Sequence, residues 1–346
     1  MSYYVKDVLQ ALDKLSRGRC VMNQEDLVEG NNPHVVTKTS NIYGKAVIET
    51  PGLVWGNLEM VAKKIAVTMT LTESAIELAA ATGVNVIVAH HPIADAANSG
   101  GVLLKYYLDL YGIAVFELHE AFHGLHPGIP FLHGHKPLFC DANYGGITGN
   151  IVYVGETLAE VKTVGEMVDR LNQFMNIDTE EQMLATERNI RKCEDISETV
   201  TSTGCKILLG NCDRPMKKVI HMFPHTGFNA NHLESLMAKY PDVDTLLATI
   251  SRVYPGNELI LKAEWFGLNF ICGNSHVSEI YENGLPLAYA IRQQLPKAEI
   301  VIFRERVTGT PLDEFGSDKI RGYAKDMAAN HLSGSKETKV KIAKHS

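Results

Sequence analysis

The chain has 346 residues, enough for two domains of ordinary size. Hydrophobic residues make up 45% and charged residues 21%, a globular balance that excludes a largely disordered chain. The net charge of −7 argues against a general nucleic-acid binder, which needs a basic face.

Residues 4–17 read as an amphipathic helix, and 18–50 as a polar stretch with a turn signal at Gly30-Asn31-Asn32-Pro33. Ile65, Val67 and Met69 alternate with Ala66 and Thr68, which predicts a strand. Thr70-Leu71-Thr72-Glu73 has capping-box spacing and opens a helix with one apolar stripe, ended by Gly83. The apolar run 84–89 predicts a second strand, which delivers His90-His91-Pro92. A helix over about 102–111 stops at Gly112, and the strand 113–118 delivers His119. This β-α-β-α-β order predicts a parallel sheet with right-handed crossovers.

A strand at 149–155, a helix at 161–175 and a charged, solvated helix within 178–200 form a connecting segment, 149–200. Then the first plan returns. Strands at 219–223, 243–249 and 268–272 alternate with helices at 229–240 and 257–266. Gly273-Asn274-Ser275-His276-Val277-Ser278-Glu279 follows, then a helix to about Leu295 and a strand at 300–303. No residue-level repeat accompanies this repeat of architecture. The expected division is a first half at 1–148, with about 300–330 returning to it, and a second half at 201–330. Residues 331–346 read as a flexible tail.

The six cysteines are scattered and none forms C-x-x-C, which favours reduced thiols over a disulfide framework. The first residues lack the apolar core of a signal peptide, and no apolar run is long enough to span a bilayer. The expected location is therefore the cytoplasm, without membrane contact.

Seven of the 14 histidines fall between positions 90 and 135. Imidazole is the commonest side-chain metal ligand near neutral pH. His90/His91 and His119/His123 follow the ends of successive parallel strands, which lie roughly 4.8 Å apart. Side chains leaving neighbouring strand ends can meet one ion at about 2.0–2.2 Å. His276 and Glu279 follow the matching strand end of the other half, and Glu279 reaches the same ions if the halves pack face to face. His126, His133 and His135 read as loop residues or as lining of a site entrance, and His221 as structural. Asp95 reads equally as a partner of the histidine pair or as a turn residue. Phosphate-loop, dinucleotide, nucleophile-elbow and H-E-x-x-H patterns are absent.

At these residues the chain resembles the Nif-three-like family of dinuclear metal-centre proteins, some of which carry the name GTP cyclohydrolase I type 2. Gly52-Leu53-Val54-Trp55-Gly56 resembles the family's early G-L-x-x-G, and His90-His91-Pro92 its H-H-P. The strand leading to His119 resembles the one ending in H-x-x-x-D, and Pro215 to Val219 the start of its second half. Gly273 to Glu279 resembles its G-H-x-x-S-E. The resemblance implies an α/β fold of two similar domains with mainly parallel sheets, packed face to face around an interface metal site. It also implies a ring-shaped hexamer or a trimer of dimers. Carried over by position, His90, His91 and Glu279 match family ligands.

Departures from the family pattern occur as well. The family's aspartate is His123 here, and its histidine before the glutamate is Ser275, with His276 one place later. Glu49-Thr50-Pro51 replaces an early Asp-Asn, and Ala248-Thr249-Ile250 replaces T-G-[DE]. One ion is thereby better supported than two, with Zn or Fe suiting the histidine-rich set better than Mn. The leading expectation is a metal-dependent hydrolase of a small, nucleotide-like molecule. His119 serves as general acid/base if it is not a ligand, and Glu279 as a catalytic and ligating carboxylate. The rival expectation is a non-catalytic metal-binding adaptor in a ring-shaped assembly.

Overall fold

The computed structural model describes residues 2–39, 46–92, 104–250 and 253–332. Asp95, the first residues of the helix expected at 102–111, and the tail after 332 lie outside them.

Two sheets organise the molecule. The first has five strands in the order Glu299–Ile302, Lys64–Thr68, Val86–Ala89, Ala114–Glu117, Gly52–Trp55. The first four run parallel, and Gly52–Trp55 closes the edge antiparallel to Ala114–Glu117. The three central strands are buried at nearly every position, so each reads as a continuous apolar run. One face packs on Val5–Leu15 and Leu285–Gln294, whose Leu12, Leu287 and Ile291 meet Ile65, Val67 and Phe116. The other face packs on Glu73–Thr82 and Leu104–Tyr111 through Ile76, Ala79 and Leu108. The cap of Glu73–Thr82 is Thr72, whose hydroxyl accepts from the Ala75 amide, and not Thr70. Gly83 at φ +75 ends that helix, a left-handed position that suits glycine.

The second sheet has six strands in the order Lys206–Leu209, Asn269–Ser275, Thr245–Ile250, Lys218–Met222, Val152–Thr157, His135–Asp141. Its centre is parallel, while both flanks are antiparallel. Thus Val152–Thr157, expected in a connecting segment, and His135–Asp141, expected in the first half, both belong to this sheet. Val152–Thr157 is placed by its distant partner Lys218–Met222, and His135–Asp141 joins at the edge through Val152–Thr157. The helix Val164–Phe174 packs on one face through Met167 and Leu171. Ala230–Lys239 and Glu258–Trp265 pack on the other through Leu233, Leu236 and Ala263. The charged helix is Ile177–Arg191; it ion-pairs its Glu180 with Arg304 and its Glu187 with Arg306.

After Asn269–Ser275 the chain turns through His276–Ser278 and a π-type turn at Ile280–Gly284, then crosses to the first sheet as Leu285–Gln294. This crossing carries Glu279 past the strand ends that bear His90 and His119. A small cluster of Ile129, Ile151, Tyr153 and Phe223 fills the space beside it.

Candidate metal centre

The strand Val86–Ala89 ends where backbone bonds from His90 to Thr68 and from His91 to Met69 continue the ladder. The two histidines are therefore fixed from the backbone outward. His90 is fully buried; its Nδ1 lies 2.9 Å from the Leu118 carbonyl. A carbonyl only accepts, so Nδ1 carries the proton and Nε2 keeps its lone pair in the neutral ring. Nδ1 of His91 is held by the Thr70 hydroxyl at 3.1 Å.

His119 and His123 follow the neighbouring strand on a tight turn, in which the Phe122 amide bonds the His119 carbonyl. His119 Nδ1 lies 2.9 Å from Glu49 Oε1, and His123 Nδ1 lies 2.9 Å from Glu120 Oε2. The Glu49 carboxylate only accepts, so the His119 ring keeps Nε2 for another partner, while Glu120 pairs with His123 by charge. Donor atoms of His90, His119 and His123 lie within 4.8 Å of one another, as do those of His91, His276 and Glu279. Glu49, His119 and Glu120 form a third such group.

Glu279 joins the first two groups. Its Oε1 is 3.2 Å from His90 Nε2; its Oε2 is 2.9 Å from His91 Nε2 and 3.3 Å from His276 Nδ1. Asn283 Nδ2 donates to Glu279 Oε1 at 2.8 Å and reaches His90 Nε2 at 3.3 Å. His126 Nε2 in turn meets Asn283 Oδ1 at 2.9 Å. Burial pushes the Glu279 carboxyl up, but the imidazoles of His91, His276 and His90 outweigh it and hold it well below the usual range. Burial lowers His90, only partly offset by Glu279. Burial and the neighbouring His123 hold His119 well below the ordinary histidine range.

All of the residues singled out from the sequence, His90, His91, His119, His123, His276 and Glu279, are thus brought to one place. Ser275 turns away: its hydroxyl meets Thr203 at 2.7 Å, and His276 beside it faces Glu279. Sequence reading missed Glu49, Glu120, Thr70 and Asn283. The only signal for the first was its position next to the early glycine motif; for Glu120, its place beside His119. His133 and His135 line no entrance. Both are fully buried, and His135 Nε2 bonds His221 Nδ1 at 2.9 Å, while His221 Nε2 meets the Thr249 hydroxyl. His133 Nε2 accepts from the Asn274 amide. These rings form a separate polar network under the second sheet.

A narrow cavity of ≈ 20 Å³ opens on the centre, lined among others by His91, His119, His123, Phe223, His276 and Glu279. It has room for a water-sized group. The donor set of imidazoles with one shared carboxylate suits a first-row divalent ion.

A family model described as Duf34/NIF3 (NGG1p interacting factor 3) matches residues 34–97, the segment that holds Glu49 and the histidine pair. In this segment the chain is similar to NIF3, and over the rest the likeness is one of fold. Its fold is similar to that of a Bacillus cereus protein related to NIF3, at 12% identity and TM-score 0.54, over 88% of this chain and 98% of that one. It is similar also to a Staphylococcus aureus hypothetical protein (13% identity, TM-score 0.53, 88% and 97% covered). A third similar structure is reduced HcgD from Methanocaldococcus jannaschii (14% identity, TM-score 0.52, 87% and 98% covered). At these identities the likeness is one of fold. No curated protein matches the sequence. Among the described residues no helix is long and apolar enough to cross a membrane.

Proposed function

We propose that this NIF3-like chain binds divalent metal at two adjoining groups, His90-His119-His123 and His91-His276-Glu279, and is a metal-dependent hydrolase of a small, nucleotide-like molecule. The observation that carries the metal reading is the gathering of these donor atoms, within 4.8 Å of one another in each group, around the meeting of His90 with Glu279. Nδ1 of His90 is committed to a carbonyl, so the lone pair of Nε2 faces a carboxylate oxygen 3.2 Å away. Asn283 Nδ2 donates to both of these atoms, and Glu279 links the two groups by reaching His91 as well. Zn, Fe and Mn are the candidates, with nitrogen donors favouring the first two.

A bound ion supplies a water acidic enough to act as hydroxide near neutral pH. The chain's own residues do the rest. Thr70, Leu118 and Glu49 hold three imidazoles by hydrogen bonds at Nδ1, and Glu120 pairs with the fourth, His123. Glu279 spans the two groups and is held in turn by Asn283. His119 then orients as a ligand, which leaves the acid/base role to a neighbour of the bound water. A homo-oligomer, hexamer or trimer of dimers, accompanies this reading, and light scattering reads it directly.

The cavity supports a second reading. A site that admits only a water-sized group favours a metal-binding adaptor without turnover, because a nucleotide needs about 300 Å³ or more. The deciding experiment measures metal per chain by elemental mass spectrometry, then hydrolysis of GTP and of cyclic nucleotides. Two ions with metal-dependent turnover support the hydrolase; His91→Ala and Glu279→Gln should lose both ion and activity. Tightly held metal without turnover supports the adaptor. Absence of metal after incubation with Zn, Fe(II) or Mn overturns both.

A further inference from the structure

We propose that Glu120 is a positioning residue of this centre: it holds the His123 ring by Nδ1, so that a histidine backed by a carboxylate does the work of a single carboxylate ligand. The inference rests on the metal reading above and concerns how this chain completes one half of the site.

The geometry is built rather than incidental. On the turn after Ala114–Glu117, the His123 amide lies 3.4 Å from the Glu120 carbonyl, which sets the two side chains next to each other. Glu120 Oε2 is 2.9 Å from His123 Nδ1, and its Oε1 is 3.6 Å from His119 Nδ1. The Glu120 amide donates to Glu49 Oε1 at 3.1 Å, the same oxygen that meets His119. Two carboxylates therefore stand behind two imidazoles, tied to each other through one backbone amide.

Glu120 is only 5% exposed, and an ionised carboxylate so far from water needs compensating partners. Its seat is cut from the opposite wall: a Cβ on Gly149 would overlap Glu120 Oε2, so only glycine leaves room for the carboxylate. A carboxylate paired with the far nitrogen of a ligating imidazole orients the ring and makes it a better donor.

Electrostatics alone would let any nearby anion serve; positioning demands that the effect pass through the His123 ring. The experiment separates these. Zn²⁺ affinity of the full chain is measured by competition with a chromophoric chelator, and the ligand field by the visible spectrum of the Co²⁺ form. Glu120→Gln should weaken Zn²⁺ by about 10- to 100-fold and shift the Co²⁺ bands. In a His123→Asp background, where a carboxylate faces the ion directly, the same change should alter affinity by less than about twofold. An equal loss in both backgrounds, or wild-type affinity and Co²⁺ spectrum in Glu120→Gln, overturns the proposal. If His123→Asp fails to bind, the Co²⁺ spectrum of Glu120→Gln decides alone. Wild-type protein that takes up no Zn²⁺ overturns the metal reading and this inference together; uptake unaffected by Glu120→Gln overturns only the inference.

Discussion

Glu282 should be a carboxylate that costs this protein stability at neutral pH, and replacing it with glutamine should recover that stability. The side chain has no exposed surface. Oε1 accepts from Asn274 Nδ2 at 2.8 Å, and Oε2 has no hydrogen-bond partner among the described residues. Burial pushes its carboxyl up to about 8 against the Asn274 hydrogen bond, with the Glu279 charge adding to the rise. The native state thus keeps a proton that the unfolded chain releases near 4.5. Between those two values the native state binds more protons, so stability falls as pH rises through the window, and the loss is complete above about 8. At about 1.4 kcal/mol per pH unit, the cost is about 3 kcal/mol at pH 7 and about 5 kcal/mol above pH 8. Glu282→Gln resembles the protonated acid and keeps the acceptor for Asn274, but has nothing to lose as pH rises. Urea unfolding of metal-free protein at a series of pH values from 4.5 to 9 measures both curves. The two should converge near pH 4.5 and separate progressively, with the variant the more stable. Other groups titrate alike in both proteins and cancel in the difference. A difference that stays constant with pH, or a variant less stable at pH 8, would refute the assignment of a protonated buried Glu282.

Other expectations follow from packing and capping. Phe116→Ala empties a fully buried site between the first sheet and Val5–Leu15, and should cost about 3–5 kcal/mol by chemical denaturation. Thr72→Ala removes the side-chain acceptor for the Ala75 amide at the start of Glu73–Thr82, and should cost about 1 kcal/mol, read as a lower thermal midpoint. His221→Phe strips His135 and Thr249 of a buried partner. It should destabilise by about 2 kcal/mol or more while metal content stays unchanged, since these rings are separate from the centre.

The sequence by itself determined the local order of this protein. Apolar runs of strand length, helices with one apolar stripe, and glycine stops set the β-α-β-α-β plan, because each depends on residues a few positions apart. The same local logic placed His90, His91 and His119 at strand ends, since a parallel sheet sends its strand ends to one side. What pairs with what was decided only in three dimensions. His135–Asp141 could belong to either half by pattern, and joins the second sheet through hydrogen bonds to Val152–Thr157. Glu49 comes from a polar stretch that reads as loop, yet reaches His119 across 70 residues of chain. His133, His135 and His221 share the ligands' residue type but read as loop, entrance or structural residues, and in the fold they bond to one another, to Thr249 and to backbone. Ligand chemistry is written in residue types; which nitrogen faces an ion depends on what holds the other nitrogen. That partner comes from another element of the fold for His90, His91 and His119, and from a tight turn for His123.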